Sequence, residues 1–92
     1  MREIIKNVSE VLGNLYTLKL VDINCVHTHL KFDEQTHKYI LSVSIKGIDK
    51  ILDLCLELFQ KLRDDNIVMS VCKNEKSTTY HYGILIVEFY EQ

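Results

Sequence analysis

Ninety-two residues, thirteen acids against eleven bases, and hydrophobic side chains at 47% of positions describe one small globular domain, here residues 1–92. A net charge of −2 supplies no surplus of Lys and Arg to neutralise phosphates, which argues against general nucleic-acid binding, and it falls far short of the acid density of a DNA mimic. No run approaches the ~18 apolar residues of a membrane span, and the opening "MREIIKNVSEVLG" lacks the continuous apolar core of a signal peptide.

The three cysteines, Cys25, Cys55 and Cys72, are odd in number and contain no C-x-x-C pair. A secreted domain of this size is normally stapled by an even set. The expectation is a reducing, cytoplasmic setting, which would be the host cytoplasm for a viral protein.

Along the chain, the first segment reads as a helix. Ile4, Ile5, Val8, Val11, Leu12 and Leu15 recur at the spacing of one helical face. Gly13-Asn14 offers a stop, because both residue types tolerate the left-handed conformation that closes helices. The next run, Tyr16 to Phe32, reads as a long strand whose alternation changes parity near Val21 and near Cys25, the signature of bulges or bends. After the polar turn "DEQTH" comes "KYILSVSIKG", in which Tyr39, Leu41, Val43 and Ile45 alternate cleanly with polar positions and Ile40, completing a hairpin.

The stretch "GIDKILDLCLELFQKLRDDN" predicts the second helix, with Ile48, Ile51, Leu52, Cys55, Leu58, Phe59 and Leu62 forming an i, i+3, i+4 stripe. Asp49 and Asp53 near its start and Lys61 and Arg63 near its end complement the helix dipole. Leu54 and Leu56 widen its apolar face. A second hairpin follows: "IVMSVCK", a polar turn "NEKSTT", then "YHYGILIVEFYE", whose "ILIV" is apolar on both faces as an interior strand requires. The expected fold is therefore α+β, a two-layer sandwich of order α-β-β-α-β-β with both helices on one face of a four-stranded antiparallel sheet.

The one chemically pointed motif is "NCVHTHLKF", Asn24 to Phe32. Pairing Phe32 with Tyr39 sets Leu30 against Leu41, Thr28 against Val43 and Val26 against Ile45. Cys25, His27, His29 and Lys31 then share the opposite face with Ser42, Ser44 and Lys46, whereas a one-residue slip would set the histidines against Leu41 and Val43. His27 and His29 would stand about 7 Å apart, close enough to chelate one ion between the rings. Cys25 lies roughly 13 Å from His29 along a strand, too far to share it. A metal site at His27 and His29 thus needs a third ligand, from His37 or His81, that only a suitable strand order supplies. Polar decoration of a solvated sheet face is the simpler reading.

Ser42 and Ser44 opposite the histidines invite comparison with a hydrolase, but no group orients the imidazole, no donor pair awaits an oxyanion, and there is no G-x-S-x-G elbow. Gly47 stands alone where a phosphate loop needs several glycines. Tyr80, His81 and Tyr82 can stack bases on an open sheet only beside a basic stripe, which is absent; tyrosines at a sheet edge or interface are the expected case. Cys55, on the helix stripe, should be inert.

These readings point to a non-enzymatic, cofactor-free protein-interaction module. Its candidate contact residues are His27, His29, Ile40, Ser42, Ser44, Tyr80 and Tyr82 on the outer sheet face, and surplus apolar surface there and on the second helix favours a protein partner and a twofold homodimer. A virus- or mobile-element-encoded inhibitor of a host machine, of anti-defence type, fits that description. The alternative is a metal- or small-ligand-binding module built on His27 and His29.

Overall fold

The computed structural model describes residues 1–62, 67–77 and 82–91, with side chains in its last two strands described at 69–72 and 83–90. It contains α1 (Arg2–Thr17), β1 (Val26–Asp33), β2 (Lys38–Ile48), α2 (Asp49–Gln60), β3 (Ile67–Ser77) and β4 (Tyr82–Glu91). The class is α+β, with two helices and an antiparallel sheet of order β1-β2-β4-β3.

The first helix does not stop at Gly13-Asn14. It continues to Thr17 because Leu15, 1% exposed, extends the buried stripe of Ile4, Val8 and Leu12. Burying a leucine is worth about 1.5–3 kcal/mol, more than the ~1 kcal/mol that an interior glycine costs. The actual stop is at Lys19, whose φ of 57° is left-handed. Its N–H donates to the Tyr16 carbonyl, and the Leu20 N–H donates to the Leu15 carbonyl, both at 3.0 Å. Those are the two bonds of a Schellman closure, made here with lysine in the place usually taken by glycine.

The expected strand from Tyr16 to Phe32 is therefore shorter. Tyr16 and Thr17 belong to α1, and a short 3-10 turn at Ile23–Cys25 precedes β1. Asp22 caps that turn, its Oδ1 accepting the Asn24 N–H at 2.9 Å. The parity changes near Val21 and Cys25 are not bulges. Leu20 and Val21 are apolar because they pack on the core from the connection between helix and strand.

The first hairpin has the expected register: Phe32 pairs with Tyr39, Leu30 with Leu41, Thr28 with Val43, and Val26 with Ile45. Asp33 organises its turn, accepting the Gln35 N–H at 3.0 Å and the Thr36 hydroxyl at 3.1 Å, while His37 takes a left-handed φ of 57°. β2 then runs without a loop into α2, Ile48 being at once its last residue and the helix N-cap. Ile48, expected on the helix stripe, is thus a strand residue and 50% exposed. Gly47 pairs with Gly83, and the flat place they leave is met by Leu52, whose Cδ2 lies 3.7 Å from where a Gly47 Cβ would be.

α2 buries Leu52, Cys55 and Phe59. It ends at Gln60, so Lys61 lies just past its last turn, and Arg63 lies outside the described residues. In the second hairpin β3 extends through Ser77, with an irregularity between Glu75 and Ser77, so it takes up most of the expected turn "NEKSTT". β4 is interior, flanked by β2 and β3. Its Leu85 and Val87 are buried while Ile84 and Ile86 are half-buried, as "ILIV" demands.

Among the described residues, thirteen buried side chains form one core: four from α1, three from α2, and Leu41, Val43, Ile45, Leu85, Val87 and Phe89 from a single face of the sheet. Phe59 of α2 meets Phe89 of β4 edge to face, ring centroids 5.7 Å apart, an arrangement favoured by the aromatic quadrupole.

Candidate interaction site

The alternation that buries one face of the sheet fixes the composition of the other. Cross-strand partners share a face, so the registers generate three rows there. His27, Ser44, Ile86 and Cys72 make the first; His29, Ser42, Glu88 and Ser70 the second; Lys31, Ile40 and Tyr90 part of the third. None of these side chains is buried. The centre of the open face is half-shielded by neighbouring side chains, with Ile40, Ser42, Ser44, Ile84, Ile86, Glu88 and Tyr90 all intermediate, and the histidines at its edge are exposed.

His27 and His29 point the same way, as their register with Ser44 and Ser42 requires. Among the described residues no third ligand joins them, and no group of three or more His, Cys, Asp or Glu side chains there could hold an ion. His37 sits in the hairpin turn, where its ring is 6.3 Å from that of Phe32. His81 and Tyr80 lie outside the described residues. Tyr82 pairs along the backbone with Ile48 and Ser77 at the end of β4.

The strand order also brings in a carboxylate that sequence reasoning did not place on this face. Glu88 lies across from Ser42, giving a row His29–Ser42–Glu88. A nucleophilic triad needs the histidine between serine and carboxylate, whereas here the serine stands between the other two. Glu88 Oε2 is moreover taken by Lys31 Nζ at 3.2 Å. This ion pair reaches across β2 from β1 to β4. Both partners are well exposed, so it contributes at most ~1 kcal/mol; what it does is hold the Lys31 ammonium over the middle of the sheet.

Surplus apolar surface is present, but not on α2, where Leu54, Leu56 and Leu58 are half-buried. One patch of it lies on the helix side of the hairpin end, where Leu30, Phe32 and Tyr39 are 45%, 48% and 49% exposed. Phe32 and Tyr39 stack edge to face at 5.1 Å. A shallow apolar groove beside them is lined by Met1, Arg2, Ile5, Leu30 and Tyr39. The signal available in the sequence was the count of apolar faces: two helices cover little more than two strands, so an edge strand's inward face is left bare.

The cysteines separate by environment. Cys55 is fully buried, and burial pushes its thiol up to about 11, which removes the thiolate that reactivity requires. Cys25 is half-buried, and Cys72 is exposed on the histidine side of the sheet. No helix among the described residues is long and apolar enough to cross a membrane. Comparison with protein-family models, with curated proteins and with solved structures yields no match.

Proposed function

We propose that the protein is a non-enzymatic interaction module that binds a protein partner on the open face of its sheet. The observation that carries this reading is the composition of that face: Ile40, Ile84, Ile86 and Tyr90 form an apolar centre around the Lys31–Glu88 ion pair, with serines and histidines toward one side. An apolar centre with a polar surround is the anatomy of a protein interface, and a contiguous apolar area on a small domain marks a place of association. Acting by covering a functional surface of a larger assembly, as an inhibitor of anti-defence type does, requires nothing more of the chain than such a face.

The test is affinity capture from the native cell or host with the wild type and with Ile86→Lys, a substitution at a half-buried surface position. A specific partner held by the wild type and lost with Ile86→Lys, the variant's melting temperature being unchanged, supports the reading. A partner retained equally by both would place binding elsewhere. The alternative, a metal- or ligand-binding module, draws on His27 and His29 alone; elemental analysis of protein purified without a histidine tag tests it, and stoichiometric metal lost in the double alanine variant would favour it.

A further inference from the structure

We infer that β1 is the dimerisation edge of this protein, pairing antiparallel with β1 of a second copy so that two four-stranded sheets join into one of eight strands. This stands apart from the open-face reading, since it concerns an edge and remains testable whether or not that face binds a partner.

Among the described residues the eight of β1 pair with β2 on one side only, so the other side presents a row of backbone donors and acceptors that only an extended chain satisfies along its length. Proteins ordinarily blunt such an edge with a bulge, a proline or an outward lysine. The other edge strand, β3, has an irregularity near Glu75. β1 has none: its register with β2 is unbroken over all eight residues, and it contains no proline. Its one lysine, Lys31, is drawn back across β2 by Glu88, away from the free edge. On the helix side of the same strand, Leu30 and Phe32 are about half exposed with Tyr39 and Ile5 beside them, so the backbone edge and the bare apolar corner coincide.

The occupant is a second copy because the edge is complementary to itself. In a twofold antiparallel pairing centred on Leu30, that residue meets the second copy's Leu30 on the axis, and Phe32 lies opposite the second copy's Thr28. On the other face His27 lies opposite the second copy's Asp33, an acid facing a histidine at both ends of the seam. Lys31 comes opposite the second copy's His29, where its charge is already matched by Glu88. Centring the seam on His29 instead would set His27 against the second copy's Lys31 and lose the Asp33 match. The Leu30-centred seam is isologous, as a closed dimer requires. It keeps both helical layers on one side, where the two bare corners adjoin, and leaves both open faces on the other.

Residues directly opposite in an antiparallel pair have Cα atoms about 4.5–5.5 Å apart, within disulfide range, so the axis can be trapped. The experiment uses the full chain with Cys25→Ser and Cys72→Ser, leaving the buried Cys55 in place, and introduces Leu30→Cys or, as a control in an interior strand, Ile84→Cys. Mild oxidation is expected to give a covalent dimer with Leu30→Cys and not with Ile84→Cys. In sedimentation equilibrium the wild type is expected to be dimeric at high micromolar concentration. Leu30→Lys and Phe32→Glu, both at exposed positions, should each raise the dimer dissociation constant about tenfold or more with the monomer fold intact by circular dichroism. A wild type that is monomeric throughout overturns the inference, even if β1 captures a strand from another protein. So does a dimer indifferent to Leu30→Lys and Phe32→Glu, or one abolished by Ile86→Lys.

Discussion

The inward faces of β1 and β2 carry the same alternating pattern and meet opposite fates. In β2, Leu41, Val43 and Ile45 are 6%, 0% and 0% exposed; one strand over, Leu30, the partner of Leu41, and Phe32, two residues on, stand about half in water. The side chains are of the same kind and the face is the same. What differs is the cover: α2 packs over β2 and β4, whereas at the hairpin end Met1, Arg2 and Ile5 at the start of α1 line an open groove with Leu30 and Tyr39. A strand's periodicity states which way its side chains point. Whether anything lies over them is decided by the number of helices available, and two helices leave an edge strand bare.

The contrast between covered and uncovered positions can be broken most forcefully at two phenylalanines, Phe59 of α2 and Phe32 of β1. Phe59→Ala, which empties a fully buried site against Phe89, is expected to cost about 3–5 kcal/mol in urea unfolding. Phe32→Ala, the same truncation at a half-exposed site, should cost the monomer about 1 kcal/mol or less. Comparable losses at both sites would mean that the β1 corner is covered in solution.

The next largest effect concerns the core alone. Cys55 titrates from about 11 in the folded chain against an ordinary 9.0. Its neutral thiol therefore favours the folded state fully below pH 9, and the advantage is lost as pH rises toward 11, because the unfolded chain gives up the proton first. The loss amounts to roughly 2–3 kcal/mol. Tyr16, raised above its ordinary value by burial, acts in the same sense at higher pH. Denaturant titrations from pH 8 to 11 should show this decline, and Cys55→Ala, weaker at neutral pH, should decline less. The exposed Cys72 should react with a thiol reagent in the native protein, and the buried Cys55 should not.

The smallest expected effect is a gain. Gly13 lies inside α1 with nothing within 4 Å of an added Cβ, so Gly13→Ala should stabilise the fold by about 1 kcal/mol, read as a rise in the urea midpoint. Lys19→Gly, which relieves the left-handed lysine, should add a little less.

Where the sequence was legible and where it was not follows the range of the interactions involved. The hairpin register could be read because a one-residue slip reverses every side chain between Val26 and Asp33, a local constraint. The end of α1 could not, because Gly13 signals a stop from its own backbone preference while Leu15 is claimed by a core built from distant strands. Glu88 escaped for the same reason. Its place beside Ser42 depends on β2 adopting β4 as a neighbour, and no local pattern announces that choice. The exposure of Phe32 was hidden more deeply, since it results from something missing above it.

The sheet order has a kinetic consequence as well. Each hairpin closes between chain neighbours, but the seam at the centre of the sheet joins Val43 to Val87, more than forty residues apart. Contacts so distant in the chain must pay loop-closure entropy before they return any stability. The two hairpins can therefore form early and independently, while the strands that end up most deeply buried meet last. Until they do, the edges of β2 and β4, rich in isoleucine, leucine and valine, are open to any other chain in the same state, so the interval before the seam closes is when this small protein is most exposed to misassembly.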